Sequence, residues 1–429
     1  MLRKPTSKIC FRDDELWRQQ PPGTIICFRN CRLFRNGTFG SDSDDELWVR
    51  DGKVLDHQRI FYDERKRPNL WVDCGGLTLA PGFVDIQMNG AFGVDFTSMA
   101  QMGDGKKALE ELEEVALKIL AFGVTAFCPT IITTRPEAYK MFLKVLNEYN
   151  STRGARILGA HFEGPFISPI RVGCHPKSLV IASLQDNSLD SVYGHDLSKL
   201  SYVTIAPELP GAIETIAFFC QRGIEVAIGH SDASYEEAQK AVAAGAKNIT
   251  HLFNAMRPVG HRGDPGIFGL LAMCNIQPVY YGLIADGIHV NELAIQMAFN
   301  ANPSGVILVT DSIAALGQGN GRHSLGNVSV RVEGHVAKVD GTETLAGSVS
   351  SMPHCVLTFS KVLNKISNKC SGLVEALKAA SFNPANFLGI ATEMGTLKEG
   401  SNADFVLIDD HLNVFATFIG AIKCHQSDE

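Results

Sequence analysis

Four residues in this chain combine useful chemistry with a repeated context. Glu163, His230, His251 and Asp311 each lie at or just past the end of a short apolar run: Ile157 to His161, Val226 to His230, Asn248 to His251, and Val306 to Thr310. Two imidazoles and one carboxylate make a ligand set for a divalent metal that leaves a position for water, and such an ion lowers that water's pKa to roughly 7. One zinc ion is the first choice, and iron or another transition metal suits the same donors. Asp311 beside that water can take its proton and return it to a leaving amine, a general base that then acts as general acid. A single strand-end His or Asp is more often a structural hydrogen-bond partner. Four at matching positions reverse that expectation.

Residues this far apart meet only if their strands end on one face. Apolar runs at Phe83 to Gln87, Thr125 to Pro129, Ile157 to His161, Val203 to Ala206, Val226 to His230, Asn248 to His251, Tyr280 to Ala285 and Val306 to Thr310 alternate with helix-like segments. Lys106 to Phe122 has helical apolar spacing, Ser234 to Ala244 opens on a serine cap with an acidic first turn, and Gly123 and Gly245 stand where C-terminal caps belong. This grammar predicts a (β/α)8 TIM-type barrel over 81–394, whose strand C-termini form the functional face. Periodicity alone leaves a doubly wound sheet open. Short strands with turn signals over 23–80 and again over 395–429 predict a small β-sandwich domain built from both chain ends, with a β insertion in the barrel near 325–342. Residues 1–22 lack a sustained hydrophobic period and read as an extension without regular structure.

The 429 residues are 45% hydrophobic and 20% charged, as in a globular enzyme. A net charge of -7, with no basic stripe interleaved with aromatics, argues against nucleic acid as a partner. No run is long and apolar enough for a membrane span, and Asp13, Asp14 and Glu15 stand where a signal peptide needs an apolar core. Eleven cysteines without paired CxxC spacing point to a reducing, cytoplasmic compartment. Cys27 and Cys31 read as two separate packed thiols, and Arg65, Lys66 and Arg67 as a solvated turn.

The motifs carry a further reading. Ala80-Pro81-Gly82-Phe83-Val84-Asp85 entering the first strand, followed by strand-end Glu, His, His and Asp, resembles the amidohydrolase superfamily. His161-Phe162-Glu163-Gly164-Pro165-Phe166, the His251 to Met256 segment, Ala285-Asp286-Gly287-Ile288-His289 and Leu345-Ala346-Gly347-Ser348 are similar to the N-acetylglucosamine-6-phosphate deacetylases within it. The resemblance implies a barrel beside a split β-sandwich, with a single metal on Glu163, His230 and His251 and Asp311 as the catalytic aspartate. Many superfamily members carry His-x-His at the end of strand one; here Gln87-Met88-Asn89 offers neutral amides, poor ligands that are left to face the substrate.

By the same resemblance His175 approaches the acetyl carbonyl or a ring hydroxyl, while Asn254, Ala255 and His289 hold the phosphate. Arg262, or less aptly His261, supplies a cation for that phosphate, presented across a homodimer interface. Ile170-Arg171-Val172 departs from the charge expected before His175. The implied reaction removes acetate from N-acetylglucosamine 6-phosphate to leave glucosamine 6-phosphate. The rivals are an amidohydrolase acting on another amide or a cyclic ureide, which typically needs the His-x-His absent here, and a non-catalytic scaffold, which has no reason to keep every ligand and Asp311.

Overall fold

Strands apolar at every position belong where both faces are covered, and the eight runs lie there. The computed structural model describes residues 7–13, 20–40, 46–185, 189–258, 262–273, 278–366 and 371–427. Its central strands are β1 (Phe83–Met88), β2 (Val124–Ile132), β3 (Ala160–Glu163), β4 (Leu200–Ile205), β5 (Glu225–Ile228), β6 (Asn248–Ile249), β7 (Tyr280–Leu283) and β8 (Val306–Leu308). They pair in parallel in that order.

Closure between β8 and β1 decides against the doubly wound alternative. It comes just past β8, where Ser312 bridges Met88. There the Asp311 N–H donates to the Gln87 carbonyl at 2.9 Å and the Asn89 N–H to the Ser312 carbonyl at 2.8 Å. The ring is thus sealed by the residues that carry the site.

Helices cover the outside. Gly105–Lys118 is capped by Asp104, runs on into a 3-10 turn at Ile119–Phe122, and stops at Gly123, whose φ of 69° needs no β-carbon. Ser234 and Glu237 form a reciprocal capping box at the start of Tyr235–Ala243, which fixes the chain leaving His230.

The chain ends form two sheets. One orders Ser7–Cys10, Leu70–Asp73, Ile25–Arg29, Leu47–Arg50 and Lys53–Val54; the other orders Ile422–Gln426, Val414–Ile419, Phe405–Ile408, Thr78–Pro81, Arg32–Arg35 and Thr38–Phe39. Phe28 of the first meets Phe405 and Phe418 of the second with ring centroids 4.8 and 5.5 Å apart, a shared core for the two layers. Gly321–Leu325, Val328–Glu333 and Val336–Val339 make a three-stranded insertion whose Leu325, Val330 and Val332 pack with Ile132 and Ile313 above the barrel mouth.

One sequence expectation needs correction. Ser7–Cys10, inside the segment read as an extension without regular structure, pairs in parallel with Leu70–Asp73 and buries Ile9, with Phe11 buried just beyond. Two alternating apolar residues are too short a pattern to register, and only the neighbouring sheet edge makes them a strand.

Asp85 ties β1 to the end of β8 inside this closure: its Oδ2 accepts the Thr310 hydroxyl at 2.6 Å. Burial lifts its carboxyl to about 7, against the hydrogen bonds from Thr310 and Gln87. A folded-state pKa raised above the unfolded value gives stability that is full below about 4 and lost as pH rises through about 7. Asp85→Asn keeps an acceptor for Thr310 without the charge. It is therefore expected to raise the melting temperature at pH 8 and to flatten its pH dependence between pH 4 and 8, measured by calorimetry; a variant as pH-sensitive as the parent would refute this.

Candidate active site

Three of the four strand-end residues sit in left-handed backbone: His230 at φ 46°, His251 at 25° and Asp311 at 47°. Non-glycine residues avoid this region, and strain of about 1–3 kcal/mol per residue persists where surroundings over-determine it, typically at functional sites. The turn it forces lets each residue leave its strand sharply over the barrel mouth. Gly229 makes room below, since a β-carbon there would lie 2.6 Å from Thr250 Cβ and 2.8 Å from Thr204 Cγ2.

The donors converge. Glu163 Oε1 is 3.2 Å from His230 Nε2 and 2.9 Å from His251 Nε2, and the two Nε2 atoms are 3.1 Å apart. All three side chains are almost fully buried. His230 Nδ1 lies 3.0 Å from the Arg171 carbonyl, which can only accept, so the proton sits on Nδ1 and the Nε2 lone pair faces the cluster. Burial opposes charge on His251, yet Glu163 outweighs it and lifts the imidazole to about 8. Burial likewise would raise Glu163, but the two imidazoles hold it well below the usual carboxylate range. Three acceptor atoms drawn together around a favoured positive charge suit a divalent cation.

His175 also falls in ligand range, for donor atoms of Glu163, His175 and His230 lie within 4.8 Å of one another. Its tautomer argues for a different part. The Thr133 N–H donates to His175 Nδ1 at 3.4 Å and the Thr133 hydroxyl lies 2.9 Å from the same atom. With Nδ1 accepting, the proton stands on Nε2, which offers a hydrogen bond and not a lone pair. Burial holds this imidazole well below its usual range, hence neutral. His251 Nε2, 2.9 Å from Glu163 Oε1, also faces this group.

Asp311 lies beside this group. Asn89 Nδ2 donates to its Oδ1 at 2.8 Å, and Gln87 Nε2 lies 3.3 Å from that oxygen and 3.0 Å from Glu163 Oε1. The two amides that replace a His-x-His pair therefore hold both carboxylates in place. Burial, reinforced by the Glu163 charge, raises Asp311 to about 7.

Asn89, Glu163, His175, His230, His251 and Asp311 line one cavity of about 220 Å³, together with Asn254, Ala255 and His289, with Leu325 from the insertion and with Leu345 and Gly347 just after it. His289 Nδ1 lies 2.7 Å from Asp286 Oδ2, which fixes the ring, while Asp286 Oδ1 accepts the backbone N–H groups of Ile288 and His289. Arg262 is exposed and is not among the residues lining the cavity; His261 lies outside the described residues. A larger cavity of about 590 Å³ sits on the barrel flank by His195 and Arg222, with no comparable cluster among the described residues.

Supporting residues escaped the sequence reading. His161, two residues before Glu163, is turned into the barrel between Thr130 Oγ1 at 3.1 Å and Thr204 Oγ1 at 2.8 Å, stacked on Tyr202; burial keeps it neutral, down to about 3. Thr133 and Asp286 likewise act through their neighbours. His161 and Asp286 stand inside the two motifs quoted above, whereas Thr133 left no trace in the sequence.

A barrel whose strand ends gather a metal-type ligand set and a separate carboxylate defines a hydrolase of the amidohydrolase class. A model of the amidohydrolase family matches residues 78–424, and the chain belongs to that family. Within it, relatives named N-acetylglucosamine-6-phosphate deacetylase are similar over nearly the whole chain. The Caenorhabditis elegans protein is 45% identical over 92% of this chain and 93% of its own length, and the human one 44% over 94% and 96%. Among solved structures, the deacetylase of that name from Pasteurella multocida superposes with a TM-score of 0.80 at 27% identity, covering 94% of this chain and all of that one. A mutant from Mycobacterium smegmatis, solved in complex with N-acetyl-D-glucosamine-6-phosphate, gives 0.78 at 26% with the same coverage.

Proposed function

We propose that the protein hydrolyses the acetamide of N-acetylglucosamine 6-phosphate, releasing acetate and glucosamine 6-phosphate. The observation that carries this reading is the convergence of Glu163, His230 and His251 beside Asp311 in one cavity, in a chain whose full-length relatives bear that activity in their names. A single divalent ion held by Glu163, His230 and His251, zinc in our reading, would polarise the acetyl oxygen and acidify a water.

The chain's own groups do the rest. Asp311, its carboxyl raised to about 7 by burial, in its ionised form takes a proton from the attacking water and passes it to the sugar nitrogen as the C–N bond breaks. Gln87 and Asn89 keep that carboxylate aimed as its charge comes and goes. His175 presents Nε2–H to the acetyl oxygen as negative charge develops there, its ring set by Thr133. At the other end Asn254, Ala255 and His289 receive the phosphate. In our reading the protein is a homodimer in which Arg262 reaches the pocket of a second copy, a guanidinium fork suited to phosphate. Buried free thiols such as Cys27, Cys74 and Cys128 suit a reducing cytoplasm, and no helix among the described residues is long and apolar enough to cross a membrane.

Acetate release tests the reading. Metal-loaded protein is expected to liberate acetate from N-acetylglucosamine 6-phosphate, to lose this activity to a strong chelator, and to regain it with added zinc. Release that a chelator leaves untouched would refute the metal, and no release at all would refute the substrate.

A further inference from the structure

Arg171 is the one charge in the Ile170-Arg171-Val172 segment, and the structure gives it a partner. Its Nε and Nη2 both donate to Asp232 Oδ1, at 2.8 and 2.6 Å. The other oxygen of the same carboxylate, Oδ2, accepts Arg257 Nη2 at 3.2 Å, and Arg257 Nη1 reaches Asp264 Oδ2 at 2.9 Å. Asp264 Oδ1 in turn accepts the N–H groups of Tyr235 and Gly266, each at 2.9 Å. Burial would raise Asp232, but the two guanidiniums hold it below the usual carboxylate range. The chain of four alternates in sign and each charge is answered.

What the two arginines are attached to gives the chain its meaning. Arg171 belongs to the loop that carries His175, and its own carbonyl is the acceptor that orients His230. Arg257 follows Asn254 and Ala255 at the phosphate end, where its N–H donates to the Ser231 carbonyl and Met256 bridges Ser231. Asp232 itself is two residues past His230, and its N–H is anchored on Glu208 Oε1 at 2.7 Å, with the Ser231 hydroxyl on the other oxygen of Glu208 at 2.6 Å. One carboxylate on a fixed stem thus grips both the acyl-end loop and the phosphate-end loop. Side chains here are about a quarter to a third exposed, so the pairs are shielded enough to persist and open enough to rearrange.

We infer that Asp232 is a positioning residue that couples the two ends of the substrate site, so that phosphate seated at Asn254 and Ala255 sets the orientation of His175 and His230 at the acyl end. This rests on the deacetylase reading above. It also gives Arg257 a part other than phosphate ligand, because both terminal nitrogens of its guanidinium already donate to carboxylates.

The test compares N-acetylglucosamine 6-phosphate with unphosphorylated N-acetylglucosamine in the metal-loaded full-length protein. Asp232→Ala is expected to lower kcat on the phosphorylated sugar by about 30-fold, within the range that coupled neighbours show, and to change the plain sugar by less than about 3-fold. Arg171→Met and Arg257→Met should each cost several-fold on the phosphorylated sugar alone, yet cost nothing further in the Asp232→Ala background, since both act through that carboxylate. Asp232→Glu, which keeps the charge, should recover part of the loss. Equal losses on both sugars, or additive losses in the double variants, would overturn the inference and leave a merely structural ion pair. Metal release into a chromogenic chelator gives a readout independent of turnover: Asp232→Ala and Arg257→Met should both release the ion faster, through Arg171 and His230, with melting temperature tracked alongside. If the parent protein releases no acetate, the deacetylase reading fails, and unchanged metal release in Arg257→Met would then separately refute the coupling.

Discussion

Asp311→Asn is expected to lower kcat for acetate release by about 10³-fold or more while leaving metal content near that of the parent. General acid–base catalysis contributes about 10²- to 10⁴-fold, and here one carboxylate serves both half-steps, so its loss falls at the upper part of that range. The substitution is nearly isosteric. An asparagine oxygen can still accept from Asn89 and Gln87, so the positions of Glu163 and the imidazoles should hold. What disappears is the capacity to take up a proton. Burial and the Glu163 charge place Asp311 at about 7, where ionised and protonated forms are both accessible. The ionised form, the base, is favoured as pH rises through that value, so the parent's rate should climb across neutrality and the residual rate of the variant should not. Acetate assays across pH 5 to 9 with metal analysis on the same preparations check this. A variant that keeps the parent's rate would remove Asp311 from the mechanism.

How the sequence and the molecule correspond follows from what each interaction depends on. The barrel was legible because eight buried strands leave eight apolar runs, and closure then places their polar ends together without further information. The strand-end positions of Glu163, His230, His251 and Asp311 were legible for the same reason. Closure itself was not, because the seal between Met88 and Ser312 is made by backbone groups that carry no sequence signature. Strand lengths drifted where the backbone interrupts the run: the predicted Ile157 to His161 splits into the short Arg156–Ile157 and the later β3, with Gly159 at φ 109° between them. Thr133 and Asp232 were invisible, since an ordinary threonine or aspartate gains its part only from the residue it meets across the fold. Arg262 was placed by family likeness, and within one chain it stays exposed and outside the cavity lining.

Glu163→Gln separates the metal from the proton carrier. Glu163 Oε1 lies 3.2 Å from His230 Nε2, 2.9 Å from His251 Nε2 and 3.0 Å from Gln87 Nε2, so in the proposed reading it is both the anionic ligand and the point on which the other donors are centred. A neutral amide is a poor ligand, and the charge change acts on its neighbours with predictable sign. His251 is lifted to about 8 against burial because of Glu163; without that charge burial wins and the imidazole falls. Asp311 is raised by burial and by Glu163, so it falls as well. The cavity then no longer favours a cation. Metal affinity is expected to drop by more than about 100-fold, beyond the 10- to 100-fold that losing an outer partner of a ligand costs. Acetate release should fall at least as far as in Asp311→Asn. The two variants are told apart by content: Asp311→Asn keeps its ion and Glu163→Gln does not. Glu163→Asp, which retains the charge at shorter reach, should recover activity in excess zinc, whereas Glu163→Gln should not. If Glu163→Gln bound metal as the parent does, measured by calorimetry and elemental analysis, His175 would have to stand in as the third ligand, and the tautomer deduced from Thr133 would be wrong.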